Sequence, residues 1–351
     1  MKENSFNSKL TNGISIVICT YNGVSRLGPT LKSIFSLQID ACIEWELIII
    51  DNASNDNTSQ FCENLIQEYG FIAKSRVVLE SRVGCNHARR RGIDEAQYNW
   101  LLFCDDDNHL FPDYIQKAWP ILIKNPSIGA LGGQGIAIFE ETKPEWFDKY
   151  SQSFAIGPQS SKDGKININR AELYSAGTFF RKEVLLRFFD SNFTCLLVGR
   201  KGNEIYGGED VEFCLLVQLL GYEIWYSSQL KFYHFMPKAR MTWPYYLKLK
   251  GGISSTSAYF VSYTPFFKKA KSTIVSFCFA YLRNYLFFHL VWIHFLVRSK
   301  IQPSRYSQEK LELGKVINRR KAISYRTNFR ETFWHFSQLK QVLKVLEAID
   351  V

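Results

Sequence analysis

Residues 98–108 read YNWLLFCDDDN. YNWLLFCD (98–105), a mostly apolar strand candidate, runs into three consecutive acids, Asp105, Asp106 and Asp107. A continuous apolar run of this length reads as a strand buried on both faces, as in parallel sheets. Upstream, the same pattern occurs three times. ISIVIC (14–19) ends at Thr20-Tyr21-Asn22-Gly23, WELIIID (45–51) ends at Asp51-Asn52, and RVVLE (76–80) precedes Arg82. Helical spacing separates these runs: Leu27, Leu31, Ile34 and Phe35 within 27–38, a segment capped from Asn55, Asp56 or Asn57, and 84–96. Strands alternating with helices of this length predict βαβ units and an α/β fold built on a mostly parallel sheet. Ligands of such sheets bind beyond the carboxyl ends of the strands, where Tyr21, Asp51 and the three aspartates would collect.

Downstream, 112–126 reads as a helix and 128–140 as a Gly-rich strand or loop. Residues 141–169 are polar and read as a surface excursion, and 172–188 as a strand followed by a helix. Residues 207–228, GGEDVEFCLLVQLLGYEIWYSS, read as a Gly turn, two acids, a helix from Val211 to Leu220, a Gly221 cap and a strand. His234 stands in FYHF, after that last strand. The apolar stretch 273–297 is interrupted by Arg283, Asn284, His289 and His294, and bases flank it (Lys268, Lys269, Lys271, Arg298, Lys300). A helix pair lying on a membrane is the first reading, a core helix the second and a true span the third.

Length and composition bound the classes. The 351 residues suggest about two structural units. With 46% apolar and 22% charged residues, the chain is neither disordered nor collagenous. Charge is uneven: residues 1–235 balance to −5 and 236–351 to +15. The basic part therefore meets something anionic, with membrane headgroups and nucleic acid as candidates. Eight cysteines without C-x-x-C spacing fit reduced, packed thiols, and the polar N-terminus lacks an apolar signal core. The expected location is cytoplasmic, peripheral to the inner face of a membrane.

Several residues are candidates for chemistry. Adjacent acids after a strand repel one another, a cost that Mg²⁺ or Mn²⁺ would offset; a solvated acidic turn is the alternative. Glu209 and Asp210 open a helix, where acids also serve as caps, and an aspartate there can act as general base. Arg89 belongs to a basic cluster with Arg82, Arg90 and Arg91 and could face a diphosphate. His234 is either a packing residue or an added ligand to metal or diphosphate. Asp51 is either a turn acid or a contact to a base or ribose. No P-loop and no G-x-G-x-x-G after a strand is present.

In this order the pieces resemble the family 2 glycosyltransferases, which have the GT-A fold. ISIVICTYN (14–22) resembles the opening strand and LIIIDNASNDNT (47–58) the nucleotide loop. SRVGCNHARRRGI (81–93) resembles the Gly-x-x-x-Ala-Arg segment, LLFCDDDN (101–108) the DXD motif, and GGEDVEFCLLVQLLGYEIWY (207–226) the Glu-Asp motif. The resemblance covers about residues 12–236. It implies a tail (1–12), a GT-A domain (13–236) and a helical C-terminal region (237–351) that would associate with membrane. It also implies an inverting, metal-dependent hexosyltransferase. Thr20, Tyr21, Asp51, Arg89, Asp105 and Asp106 would bind the nucleotide-sugar, a UDP-sugar by default. Asp105, Asp107 and His234 would hold Mg²⁺ or Mn²⁺, and Asp210, with Glu209, would be catalytic. The acceptor hydroxyl, lipid-linked or not, would belong to cell-surface polysaccharide or glycolipid assembly, with no nucleic acid partner. Asn52 stands where relatives have a second acid, and Arg90 where Asn is common. The Gln-x-x-Arg-Trp signature of processive synthases is absent at MTWPYY (241–246), which favours addition of one sugar. A sugar-nucleotide-forming nucleotidyltransferase is the alternative, and a nucleic-acid binder a weaker one.

Overall fold

The computed structural model describes residues 11–167, 172–197, 199, 206–267, 272–301 and 307–349. Lys268, Lys269 and Lys271, read above as flanking bases, lie outside the described residues. The first half runs β1 (Thr11–Thr20), α1 (Val24–Phe35), β2 (Trp45–Asp51), α2 (Thr58–Glu68), β3 (Ser75–Leu79), α3 (Cys85–Glu95), β4 (Tyr98–Asp105), β5 (Asn108–Leu110) and α4 (Tyr114–Lys124). Next come β6 (Ile128–Phe139), α5 (Phe147–Tyr150), β7 (Gly164–Lys165), β8 (Thr178–Arg181), α6 (Lys182–Asp190), α7 (Glu209–Leu219) and β9 (Glu223–Met236). The C-terminal helices are α8 (Trp243–Ser255), α9 (Ile274–Ile301), α10 (Gln308–Thr327) and α11 (Phe329–Ile349).

The apolar runs form one sheet in the order β3-β2-β1-β4-β8-β6-β9-β5. The first four are parallel; β8 is antiparallel to both β4 and β6. Register decides where the chemistry falls. Thr20 pairs with Asp51 and Cys19 with Asp105, so three carboxyl ends finish level at one edge. Helices cover both faces, and β1 divides its side chains between two cores: Ile14, Ile16 and Ile18 in one, Val17 in the other. On the second face α3 comes close to β1. A Cβ at Gly92 would stand far inside contact distance of Val17 Cγ1.

Three expectations are revised. His234 lies inside β9, which runs on to Met236 and pairs antiparallel with β5, setting Asn108 opposite His234. Residues 141–167, the described part of that stretch, are only partly a surface excursion. Phe147, Phe154 and Ile156 are buried with Met236, Tyr246 and Leu249, so this segment forms the bed on which α8 packs. The 273–297 stretch is one continuous helix, not a pair. The C-terminal region also joins the main core, because Leu339, Val342 and Leu346 of α11 are buried beside Val184, Phe188 and Leu216.

Candidate active site

The level strand ends open into a cavity of about 810 Å³. Asp105, Asp106, Asp107 and His234 line one part of it, and Glu209 and Asp210 another. Sequence-distant acids thus share one space.

The three aspartates have separate partners. Asp106 accepts from Thr20 Oγ1 at 2.7 Å and from Arg26 at 2.7 and 3.2 Å, while its backbone oxygen accepts from Thr30. It fastens the β4 end to the start of α1. Asp107 Oδ1 lies 3.2 Å from His234 Nε2, and Asp107 Oδ2 accepts from Arg240 at 2.8 Å. Burial works against the Asp107 charge, but His234 and Arg240 outweigh it and hold the carboxyl below the usual carboxylate range. Asp105 has the opposite balance. Burial and then Asp107 push its carboxyl up, only partly offset by Arg89 and His234.

At the second acidic group, Gly208 takes φ +108°, a conformation that glycine adopts without a Cβ penalty, and α7 starts at Glu209. Glu209 is half-buried, and its loss of water raises its carboxyl; Arg89 opposes the rise from 3.6 Å. Arg89 donates to Ser175 Oγ at 2.5 Å. Burial works against its charge, and Cys85, Glu209, Asp105 and Asp210 outweigh burial. Arg89 therefore bridges the fields of the two acidic groups. Asp210 Oδ1 accepts from Val211 N at 2.8 Å, the local bond of an acid at a helix start.

Asp51 is placed differently from the sequence reading. It does not line the cavity; its oxygens accept from Ser54 N at 3.0 Å and Ser59 Oγ at 2.5 Å, which folds the loop after β2. Asn52 lines the cavity instead. It donates to the Glu80 and Arg82 carbonyls and accepts from Gly84 N at 2.8 Å, tying the loops after β2 and β3 together. Tyr21 is 44% exposed at the rim. Arg90 and Arg91 pair with Asp94 and Glu95 on α3's own surface, and Arg82 pairs with Glu80. Of the basic cluster, Arg89 alone reaches the cavity wall.

Sequence reasoning missed Arg26, Arg240 and Glu212. Arg26 carried a signal in its position, one turn into the helix after the first strand; Arg240 and Glu212 are defined by contacts across more than 50 residues.

Among the described residues, no cluster of three or more His, Cys, Asp or Glu is arranged to hold a metal ion. The donor types nevertheless suit a hard divalent cation: two carboxylates on alternate residues and a buried imidazole whose Nδ1 has no hydrogen-bond partner. Arg240 already occupies one Asp107 oxygen.

A model of glycosyl transferase family 2 matches residues 15–189. Poly-beta-1,6-N-acetyl-D-glucosamine synthase of Staphylococcus epidermidis is 30% identical over 38% of this chain and 33% of its own length. The chain thus spans about a third of that relative. Glucosyl-dolichyl phosphate glucuronosyltransferase of Haloferax volcanii is 23% identical over 63% of this chain and 68% of its own. Two solved structures share the fold. TarS of S. aureus (1–349) in complex with UDP-GlcNAc has a TM-score of 0.51, 14% identity and coverage of 90% and 92%. Mannosyltransferase PcManGT of Pyrobaculum calidifontis with GDP-Man and Mn²⁺ has a TM-score of 0.52, 13% identity and coverage of 90% of both chains.

Proposed function

The chain belongs to glycosyl transferase family 2, and we propose that it moves one hexosyl unit from a nucleoside-diphosphate sugar to an acceptor hydroxyl with inversion. The observation that carries this reading is the single cavity shared by Asp105–Asp107 and Glu209–Asp210. Asp210 takes the proton of the acceptor hydroxyl as that oxygen attacks the anomeric carbon from the face opposite the leaving diphosphate. Glu209, braced by Arg89, orients the acceptor. Tyr21 at the rim meets the nucleotide base, and Arg89 and Arg240 are the cations available to the diphosphate. Asp105, Asp107 and His234 would hold Mg²⁺ or Mn²⁺, which supplies charge stabilisation for the leaving group when bound. Placing both substrates in one cavity supplies much of the remaining barrier reduction. The solved neighbours that hold UDP-GlcNAc, or GDP-Man with Mn²⁺, support this class of donor, with a UDP-sugar as default. The relatives named for polysaccharide and glycolipid synthesis support a role in cell-surface assembly.

The catalytic part then reaches past 236, because Arg240 and α8 line the cavity, and the membrane-associating part is carried by α9. α9 has Val275, Phe279, Leu282, Leu286, Leu290, Ile293, Val297 and Ile301 exposed at spacings of three and four, one continuous apolar stripe. Phe277, Ala280 and Tyr281 on the same helix are buried, and α10, rich in Lys and Arg, packs along it. A charged helix packed alongside does not suit a bilayer interior. We read α9 as lying on an anionic, cytoplasmic bilayer face, with the basic helices near the headgroups.

The test of the transferase reading is a panel of sugar nucleotides with Mg²⁺ or Mn²⁺, scored by thermal shift and by nucleoside diphosphate release. Binding of one donor with slow release of its nucleotide supports it. Pyrophosphate release from a nucleoside triphosphate and a sugar phosphate would replace it with nucleotidyl transfer.

A further inference from the structure

No neighbouring element holds the Asp210 carboxylate. Among the described residues it accepts a hydrogen bond only from Val211 N, within its own helix. Its direction is therefore set by the backbone of the first turn of α7, which follows directly from Gly207 and Gly208. Gly208 O accepts from Glu212 N at 2.8 Å, an opening bond of the helix. What fixes these two glycines fixes where Asp210 points.

The chain beyond 236 grips both glycines. A Cβ at Gly207 would stand 3.0 Å from Ile253 Cγ1 of α8, and one at Gly208 would stand 2.7 Å from Phe260 Cζ and 3.2 Å from Leu197 Cδ1. The polar contact is Thr256, at the end of α8. Its Oγ1 lies 3.0 Å from Gly207 O and 2.8 Å from Ile253 O, so one hydroxyl proton is shared between the last turn of α8 and the turn before α7. Among the described residues, no other side chain bonds to the backbone of Gly207 or Gly208. Thr256 is buried, so water does not compete for this bond. The segment that follows it is anchored on its far side. Ala258 N donates to Ser324 Oγ and Tyr325 Oη donates to Ser257 O, each at 3.2 Å and each to or from α10. Ala258 and Val261 are buried with Phe277 and Ala280 of α9. Thr256 thus joins the C-terminal helices to the turn that carries Asp210.

We propose that Thr256 is a positioning residue for Asp210, aiming its carboxylate at the attacking oxygen through the Gly207 carbonyl. This rests on the transferase reading, in which Asp210 is the base, and gives a residue of the C-terminal helical region a part in the chemistry. The competing account is packing alone, in which a valine of the same shape would serve as well.

The experiment follows nucleoside diphosphate release from UDP-GlcNAc, UDP-glucose and GDP-mannose with Mn²⁺, water serving as acceptor, and calorimetric binding of UDP and GDP. The proteins are full-chain wild type, Thr256→Val, Thr256→Ser, Asp210→Asn and the double variant Thr256→Val with Asp210→Asn. Thr256→Val keeps the shape and removes the hydroxyl. It should lower turnover about tenfold to a hundredfold, the scale of a base displaced by up to an ångström, and leave KM and nucleotide affinity within about twofold. Thr256→Ser keeps the hydroxyl and should recover most of the rate. In the Asp210→Asn background, Thr256→Val should cost less than about twofold, because an absent base cannot be misaimed. The proposal is overturned by wild-type turnover in Thr256→Val, by a Thr256→Ser rate as low as that of Thr256→Val, by a loss of nucleotide binding that matches the loss of turnover, or by an equal loss with and without Asp210. Failure of the transferase reading shows itself in proteins whose Thr256 is intact: no release by wild type, or wild-type release by Asp210→Asn. Either result takes this proposal with it.

Discussion

Glu212 gives the sharpest quantitative test of how the C-terminal helices hold the site. It is fully buried on α7, two residues after Asp210. Its carboxyl accepts from Tyr263 Oη at 2.5 Å and from Leu196 N and Leu197 N at 3.1 Å each, and His335 Nε2 of α11 lies 3.6 Å away. Asn86 of α3 donates to the Leu197 carbonyl, so the network fastens 195–197 between the starts of α3 and α7. Burial lifts the carboxyl from 4.5 to about 7, despite the lowering by Tyr263, Leu197, Leu196 and Cys195. A raised folded value means stability that is fully present below about 4.5 and lost as pH rises through about 7. Between pH 8.5 and 5.5 the group contributes about 2 kcal/mol in favour of folding. His335 opposes it: burial lowers that imidazole from 6.5 to about 3, which costs about 1.4 kcal/mol at pH 5.5. The two nearly cancel in the wild type, so the informative quantity is a difference between proteins. In urea titrations of wild type and Glu212→Gln, the stability gap should move by about 2 kcal/mol toward wild type as pH falls from 8.5 to 5.5. Tyr263→Phe removes one donor to the carboxylate and should enlarge the wild-type response. A gap that stays constant within about 0.5 kcal/mol would show that Glu212 is ionised throughout, and the reasoning would fail.

Asp210→Asn should leave nucleotide binding unchanged and lower turnover about 10²- to 10⁴-fold, the usual share of a general base; wild-type turnover would remove Asp210 from that role. Leu286→Glu with Leu290→Glu, at positions 52% and 66% exposed, should cut co-sedimentation with phosphatidylglycerol vesicles at least about tenfold and spare nucleotide binding. Equal co-sedimentation, or none by wild type at low salt, would dismiss the membrane reading. Gly92→Ala forces a methyl against Val17 and should cost about 1–3 kcal/mol in denaturant titration.

β1, β2 and β4 were legible because each is a continuous apolar run ended by polar residues, and burial on both faces requires that pattern; β3, half-exposed at the sheet edge, was legible only from its Val-Val-Leu run. WELIIID and YNWLLFCD gave β2 and β4 to the residue. β9 was read short because Ser227, Ser228 and Gln229 interrupt its apolar pattern; the chain continues there because β6 and β5 supply partners on both sides. The buried aromatics of 147–156 were hidden for the same kind of reason. Their polar neighbours face solvent, and what buries them is α8, about 90 residues later. Asp51 and Asn52 show the limit at the site itself. Adjacent strand-end residues point different ways, and only the loop geometry decides which of them meets the cavity.

The same alternation explains how three neighbouring aspartates can coexist. Successive side chains at a strand end diverge, so the middle acid parts from the outer two. Asp106 turns toward α1, where Arg26 and Thr20 neutralise and bond it. Asp105 and Asp107 remain together, and their fields differ because their partners differ: Asp107 is held ionised by His234 and Arg240, while Asp105, without a cation in contact, is pushed up by burial and by Asp107. The repulsion that made the triplet conspicuous in the sequence is thus relieved for one member by α1 and for another by the β9–α8 connection. Asp105 is left as the acid with most to gain from an added positive charge. On the proposed function, a cation arriving with the donor diphosphate would offset that unrelieved repulsion at Asp105, although the described residues form no complete ligand set.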